Sequence, residues 1–196
     1  MSADNALPSA SDVARDLAMA LDARGQEYAL GGAIALGFWG EPRGTLDVDV
    51  TLFLAPDKPS ECLWLLQDIE CQLIFSEALT SLREHGFCRV MYQGLRLDVF
   101  LPIVDFYAAA QARRQRVQLA GQSAVIWDAE SLIVFKLMFF RRKDVADVEG
   151  ILRVQRGRLD LEWVRHQLVE LYSARDPRIS QWDELVAESR ADYGAV

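Results

Sequence analysis

The chain has 196 residues, 51% of them apolar and 26% charged, enough at roughly 150 residues per domain for one domain with or without a helical appendage; a chain of this kind buries a real core, which excludes global disorder. Its 21 Lys and Arg against 29 Asp and Glu leave a formal charge of −8, which argues against a protein that coats nucleic acid through overall charge and leaves only a local basic patch for that purpose. Three cysteines (Cys62, Cys71, Cys88) and two distant histidines (His85, His166) lack metal-ligand spacing, so zinc is not expected, and reduced thiols in the cytoplasm are.

Residues 1–10 carry no basic stretch ahead of an apolar one, so no secretion signal is expected. Ser11 and Asp12 look like helix-start residues, and Val13, Leu17, Ala20 and Leu21 then share one face up to Gly25. A short strand, Tyr28 to Leu30, runs into Gly31-Gly32, followed by an apolar helix that ends near Gly40 and Pro42. Leu46 to Leu54 alternates as a strand, with Asp47 and Asp49 on one face and Val48 and Val50 on the other. Ser60 to Leu82 has a helical pattern, in one piece or two, and Phe87 to Leu101 reads as a hairpin turning at Gln93-Gly94.

Val125 to Trp127 is expected as a short strand. Helices are expected near Ala129–Arg142, Val145–Gln155 and Leu161–Ala174, capped by Asp144 and Asp160 where a cap is visible, with a last one from the box-like Ser180-Gln181-Trp182-Asp183. The apolar run Leu132 to Phe140 has Lys136 at its centre and is about half a membrane span, so no membrane partner is expected. The pattern predicts an α+β fold: an α+β core over residues 1–128 and a helical C-terminal subdomain over 129–196.

Five groups of residues could carry chemistry. Asp47 and Asp49, about 7 Å apart on one strand face, can share a divalent cation or simply form a solvated face. Asp98 lies on the hairpin's second arm, on the face opposite Leu95, Leu97 and Val99, together with Arg96. Gly31-Gly32, between a strand and a helix start, is a tight turn or a place where backbone N–H groups meet an anion. Lys136 is surrounded by apolar neighbours and must meet an anion, either a structural carboxylate or a nucleotide phosphate. Arg113, Arg114 and Arg116 form a dense basic cluster, with Arg141, Arg142 and Lys143 as a second possibility, either a solvated face or an entry path for RNA. The five tryptophans are expected in the core.

Together these segments resemble the nucleotidyltransferase superfamily with the DNA polymerase β-like fold. Gly31 to Gly37, followed by Pro42-Arg43-Gly44-Thr45-Leu46-Asp47-Val48-Asp49, is similar to its G-[GS] … R-x-T-x-D-x-D signature, with Gly32 where many members carry Ser. Arg96-Leu97-Asp98-Val99 resembles the strand bearing the third carboxylate. Glu130 through Lys136, continuing to Arg141-Arg142-Lys143-Asp144 and Asp147, resembles the AbiEii-like toxin branch.

The resemblance implies a nucleotidyltransferase-like mixed β-sheet flanked by helices, and an enzyme moving an NMP from an NTP to an acceptor hydroxyl, RNA or tRNA among the candidates. It implies two Mg²⁺ ions on Asp47, Asp49 and Asp98, with Gly31, Gly32, Arg43, Thr45 and Lys136 around the nucleotide. A toxin with a companion antitoxin protein is one version of this reading. A catalytically idle binding module of the same fold, engaging a protein partner, is the alternative.

Overall fold

The computed structural model describes residues 8–194. It divides into two compact units: the first holds residues up to Ile34 and resumes from Gly44 to Trp127, and the second holds Ala35–Arg43 and the chain from Asp128 onward. The fold is α+β, and among the described residues a six-stranded mixed sheet lies wholly within the first unit.

The first unit opens with α1 (Ala10–Asp22), which starts at Ser9 rather than Ser11 because the Ser9 hydroxyl accepts the Asp12 backbone N–H at 3.1 Å. Val13, Leu17 and Leu21 recur at helical spacing and are fully buried. Then come β1 (Tyr28–Leu30), the first turn of α2 (Gly32–Trp39), β2 (Asp47–Leu52), α3 (Pro59–Asp68) and α4 (Phe75–His85). The helical stretch expected over residues 60–82 therefore breaks in two. The break is a tertiary one: Gln72 pairs its backbone with Met91, at 2.8 and 3.0 Å.

β3 (Phe87–Tyr92) and β4 (Leu95–Phe100) form the expected hairpin, and Gln93 and Gly94 both take positive φ, as the favoured two-residue turn requires. Beyond it lie α5 (Phe106–Arg113), β5 (Gln115–Leu119) and β6 (Gln122–Ile126). The sequence pattern anticipated neither α5 nor β5. α5 has no side-chain cap, and β5 is an edge strand whose mostly polar residues need cover on few sides.

The strands lie in the order β3-β4-β2-β1-β6-β5. β2 runs parallel to β4 and antiparallel to β1, with Asp49 opposite Asp98 and Asp47 opposite Arg96. In-register residues of neighbouring strands share a face, so Asp47, Asp49, Arg96 and Asp98 stand together while Val48, Val50, Leu97 and Val99 point into the core on the other side.

The second unit is helical: the end of α2, then α6 (Ala129–Phe139), α7 (Arg142–Gln155), α8 (Leu161–Tyr172) and α9 (Pro177–Gly194). Asp128 and Asp160 cap α6 and α8, accepting the N–H groups of Ser131 and Trp163 at 3.0 Å. α6 ends earlier than expected, at Phe140 in the left-handed region, and α7 starts earlier, at Arg142. Asp144 is thus the third residue of α7, where its carboxylate reaches back to the Arg141 N–H at 3.1 Å. Ser180 falls inside α9, so its box-like pattern starts no helix. Trp127 and Trp182 are core residues, but Trp64 is 60% exposed.

Candidate active site

The first unit gathers six of the eight residues singled out in the sequence: Gly31, Gly32, Thr45, Asp47, Asp49 and Asp98. Gly31 follows β1 directly and donates its N–H to the Asp49 carbonyl at 2.9 Å, which locks the glycine pair against the middle of β2. Gly32 has φ +53, and a Cβ built on it would overlap the Asp49 carboxylate. A serine at this position would have to push Asp49 aside, so glycine here is a condition of the carboxylate's position. Gly31 is nearly as confined, since a Cβ there would lie 3.2 Å from the Trp127 ring and 3.7 Å from the Asp49 Cβ.

Thr45 enters the site through Asp47. Its hydroxyl donates to Asp47 Oδ1 and lies 3.4 Å from the Asp47 backbone N–H, so the residue that precedes the strand by two fixes the orientation of the first carboxylate. Asp47 also meets the Arg96 guanidinium.

Asp98 is 9% exposed, and its Oδ1 is buried without a hydrogen-bond partner. Arg96 Nε at 3.3 Å and Arg89 Nε at 3.4 Å are close enough for Coulomb attraction, but neither is aligned to donate. Burial pushes the Asp98 carboxyl above its usual range, against the pull of Arg96 and Arg89.

Arg89 is the site residue that the sequence reasoning passed over, and Arg96, placed there on the face of Asp98, was given no role. A signal for Arg89 existed: a two-residue turn at Gln93-Gly94 pairs Tyr92 with Leu95, and counting back along the ladder sets Arg89 opposite Asp98. Arg96 shares the alternation of Asp98. Its approach to Asp47 depends on the parallel pairing of β2 with β4, which no local pattern encodes.

Arg43 and Lys136 belong to the second unit, and they meet there on one acid. Lys136 is 5% exposed, and its Nζ donates to Asp147 Oδ2 at 2.6 Å, with Asp144 Oδ1 at 3.9 Å. Arg43 holds the same Asp147 in a fork, Nε to Oδ1 at 3.0 Å and Nη2 to Oδ2 at 3.1 Å. Burial works to raise the Asp147 carboxyl, but the hydrogen bonds from Arg43 and Lys136 outweigh it and hold the group below its usual range.

Of the arginine cluster, Arg114 is committed to the fold. It donates to the Tyr28 carbonyl and to Glu27, both at 2.9 Å, and its guanidinium lies 4.5 Å from the centre of the Phe53 ring. Arg116 pairs with Ser123 at 3.1 Å. An open groove of about 420 Å³, lined by Phe53, Pro102, Tyr107 and Gln111 among others, lies at the far end of β2 from Asp47 and includes none of the three aspartates.

Among the described residues, no three His, Cys, Asp or Glu side chains converge closely enough to cage an ion by themselves. The donors nonetheless suit a hard divalent cation. Three carboxylates share one sheet face, and one of them keeps an oxygen without a hydrogen bond. Mg²⁺ in particular takes one or two protein carboxylates and completes its shell with water and substrate phosphates.

The fold is that of nucleotidyltransferase-like proteins. The crystal structure of ANT(2″)-Ia in complex with adenylyl-2″-tobramycin superposes with a TM-score of 0.56 at 16% identity, covering 81% of this chain and 95% of that one. The solution structure of the antibiotic-resistance factor ANT(2″)-Ia superposes at 0.52 and 15% identity, over 94% and 93% of the two chains. An antigenic nucleotidyltransferase-like protein from Paracoccidioides brasiliensis, 18% identical over 87% and 92% of the chains, reaches 0.49. No protein-family model and no curated protein matches the sequence. At these identities the likeness concerns the fold. No helix among the described residues is long and apolar enough to cross a membrane.

Proposed function

We propose that the protein is a Mg²⁺-dependent nucleotidyltransferase that moves an NMP from an NTP to an acceptor hydroxyl and releases pyrophosphate. The observation that carries this reading is the in-register pair Asp49 and Asp98 on adjacent parallel strands, beside Asp47, with the Gly31-Gly32 turn pressed against Asp49. Asp47, Asp49 and Asp98 would hold the metal, which when bound neutralises the triphosphate and stabilises the attacking and leaving oxygens. Thr45 orients Asp47. The Gly31-Gly32 backbone, free of side chains, lets phosphate oxygens approach the first turn of α2. Asp98 Oδ1, which accepts no hydrogen bond, is the atom suited to receive the acceptor's hydroxyl proton.

In this scheme Asp147 bonds both Lys136 and Arg43 in the resting protein, so a direct phosphate contact by either base requires its bond to Asp147 to open. An idle binding module is the weaker reading, because it gives no reason for three carboxylates and a side-chain-free turn to coincide.

A small-molecule hydroxyl fits best as acceptor. The chain carries −8, Arg114 is tied to Glu27 and Tyr28 rather than available to a phosphate backbone, and the similar ANT(2″)-Ia structure holds adenylyl-2″-tobramycin. An RNA or tRNA acceptor, and with it a toxin restrained by an antitoxin protein, is the second reading. It rests on the AbiEii-like run from Glu130 to Asp147. Incubation with each labelled NTP, Mg²⁺ or EDTA, and either a set of aminoglycosides or total RNA separates the two. Label transferred to neither, with intact nucleotide recovered in every arm, overturns the enzyme reading. Asp47→Asn and Asp49→Asn should each abolish transfer.

A further inference from the structure

The carboxylate face of the sheet already contains a cation, and it belongs to the chain. Arg96 stands opposite Asp47 in the β2–β4 ladder, two residues before Asp98 on its own strand. Its guanidinium pairs with Asp47 Oδ2 through Nη2 and lies 3.3 Å from Asp98 Oδ1 through Nε, so one planar group spans the carboxylates of both strands. Arg89 approaches Asp98 from the opposite neighbour, 3.4 Å away, but makes no such bridge. We infer that Arg96 is a displaceable counter-cation of the carboxylate cluster: a divalent ion enters by taking Asp47 and Asp98 from it, and the guanidinium therefore sets the affinity of the site for metal.

Three features support displacement rather than permanent pairing. The Arg96 side chain is 47% exposed, so it can swing into water without breaking the core. Its hold on Asp98 Oδ1 is electrostatic and not a hydrogen bond, and it leaves that oxygen unsatisfied. The three carboxylates, with the guanidinium among them, do not converge into a cage, so binding an ion requires a rearrangement of the kind that releasing Arg96 permits. Lys136 and Asp147 form the opposite arrangement, with no comparable means of exchange: a buried pair hydrogen-bonded at 2.6 Å, with both Asp147 oxygens also held by Arg43.

This inference rests on the metal-dependent reading above, and direct metal binding tests it without turnover. Mn²⁺ is titrated into the full-length protein and free ion is followed by electron paramagnetic resonance, for the wild type, Arg96→Gln and Arg96→Lys. Removing a positive charge a few ångströms from the ion should tighten Mn²⁺ about tenfold in Arg96→Gln. Arg96→Lys keeps the charge but loses the two-armed geometry and should fall between the two; it decides the matter should Arg96→Gln fail to fold. The melting temperature without metal should fall in Arg96→Gln and rise more steeply with Mn²⁺ than in the wild type. Equal Mn²⁺ affinity in wild type and both variants, or weaker binding in Arg96→Gln, overturns the displacement while leaving the metal site standing. No Mn²⁺ binding by any of the three proteins overturns the metal reading and the displacement with it.

Discussion

Among the described residues, two clusters set a buried aspartate against arginine and lysine or arginine alone, one among the helices and one on the sheet, and they solve the same electrostatic problem to different degrees. On the helices, Asp147 is buried and receives Lys136 and both arms of Arg43, every contact within hydrogen-bond distance. On the sheet, Asp98 is as buried, but it has two guanidiniums that attract it without bonding Oδ1. Fully satisfied buried charge is a structural device, because removing one member strands the others. Incompletely satisfied charge beside side-chain-free backbone is what a site for an outside ligand requires. The shifts in acidity agree: burial raises the Asp98 carboxyl, while at Asp147 burial also pushes upward but is outweighed by the hydrogen bonds and charges of Arg43 and Lys136 together, which lower it.

That contrast breaks most sharply at Asp147. Asp147→Ala leaves Lys136 buried without its partner and should cost about 3–5 kcal/mol in urea denaturation, whereas Asp49→Asn should leave stability within about 1 kcal/mol of the wild type while abolishing transfer. Equal losses for the two would erase the distinction between the clusters. Lys136→Met should cost less than Asp147→Ala, about 1–3 kcal/mol, because Arg43 still bonds the acid left behind. The same variant measures whether Lys136 also serves nucleotide. Weakened NTP binding in equilibrium dialysis with little change in stability assigns it to the phosphate, and a stability loss with unchanged NTP affinity assigns it to Asp147 alone.

Gly32→Ala should cost about 1–2 kcal/mol for an alanine at positive φ, and it should reduce transfer more than this loss of stability explains, since the new methyl overlaps the Asp49 carboxylate. A fully active, fully stable Gly32→Ala would show that Asp49 does not need its present position.

The smallest effect separates the clusters by pH. Asp147, held below its usual range, contributes stability that is complete above the ordinary carboxylate pKa and is lost as pH falls through its lowered value. Asp98 has the opposite sign: its raised carboxyl favours the folded state in the protonated form, and that contribution disappears as pH rises through the raised value. Melting temperatures followed from about pH 3 to 7 should therefore show a weaker acid-side loss in Asp147→Asn than in the wild type. In Asp98→Asn they should show a slightly smaller drop toward neutral pH.

Much of the site was legible because its parts are local. The alternation of Asp47-Val48-Asp49-Val50 fixes which side chains share a face, since successive residues of a strand point to opposite sides. A Gly-Gly pair between an apolar strand and an apolar helix marks a turn that a side chain would obstruct. Asp160 at the start of α8 was visible as a cap because capping depends on only four consecutive residues. Elements without such local signals were missed or misplaced. β5 is mostly polar because it lies on an edge, and the choice between one helix and two over residues 60–82, which the pattern left open, is made by the pairing of Gln72 with a distant strand.

By itself, then, the sequence determined the α+β class, the carboxylates and the glycine turn, because strand alternation, turn chemistry and burial of apolar faces act over a few residues. Only the tertiary structure decided which charges meet. Residue 98 joins residues 47 and 49 through a parallel pairing that spans α3, α4 and β3, and Asp147 takes up Arg43 from 104 positions earlier in the chain. Local preferences carry no information about closures of that length. Which acid receives which base is set by the packing of whole elements, and here that packing satisfied Asp147 and left Asp98 with an oxygen to spare.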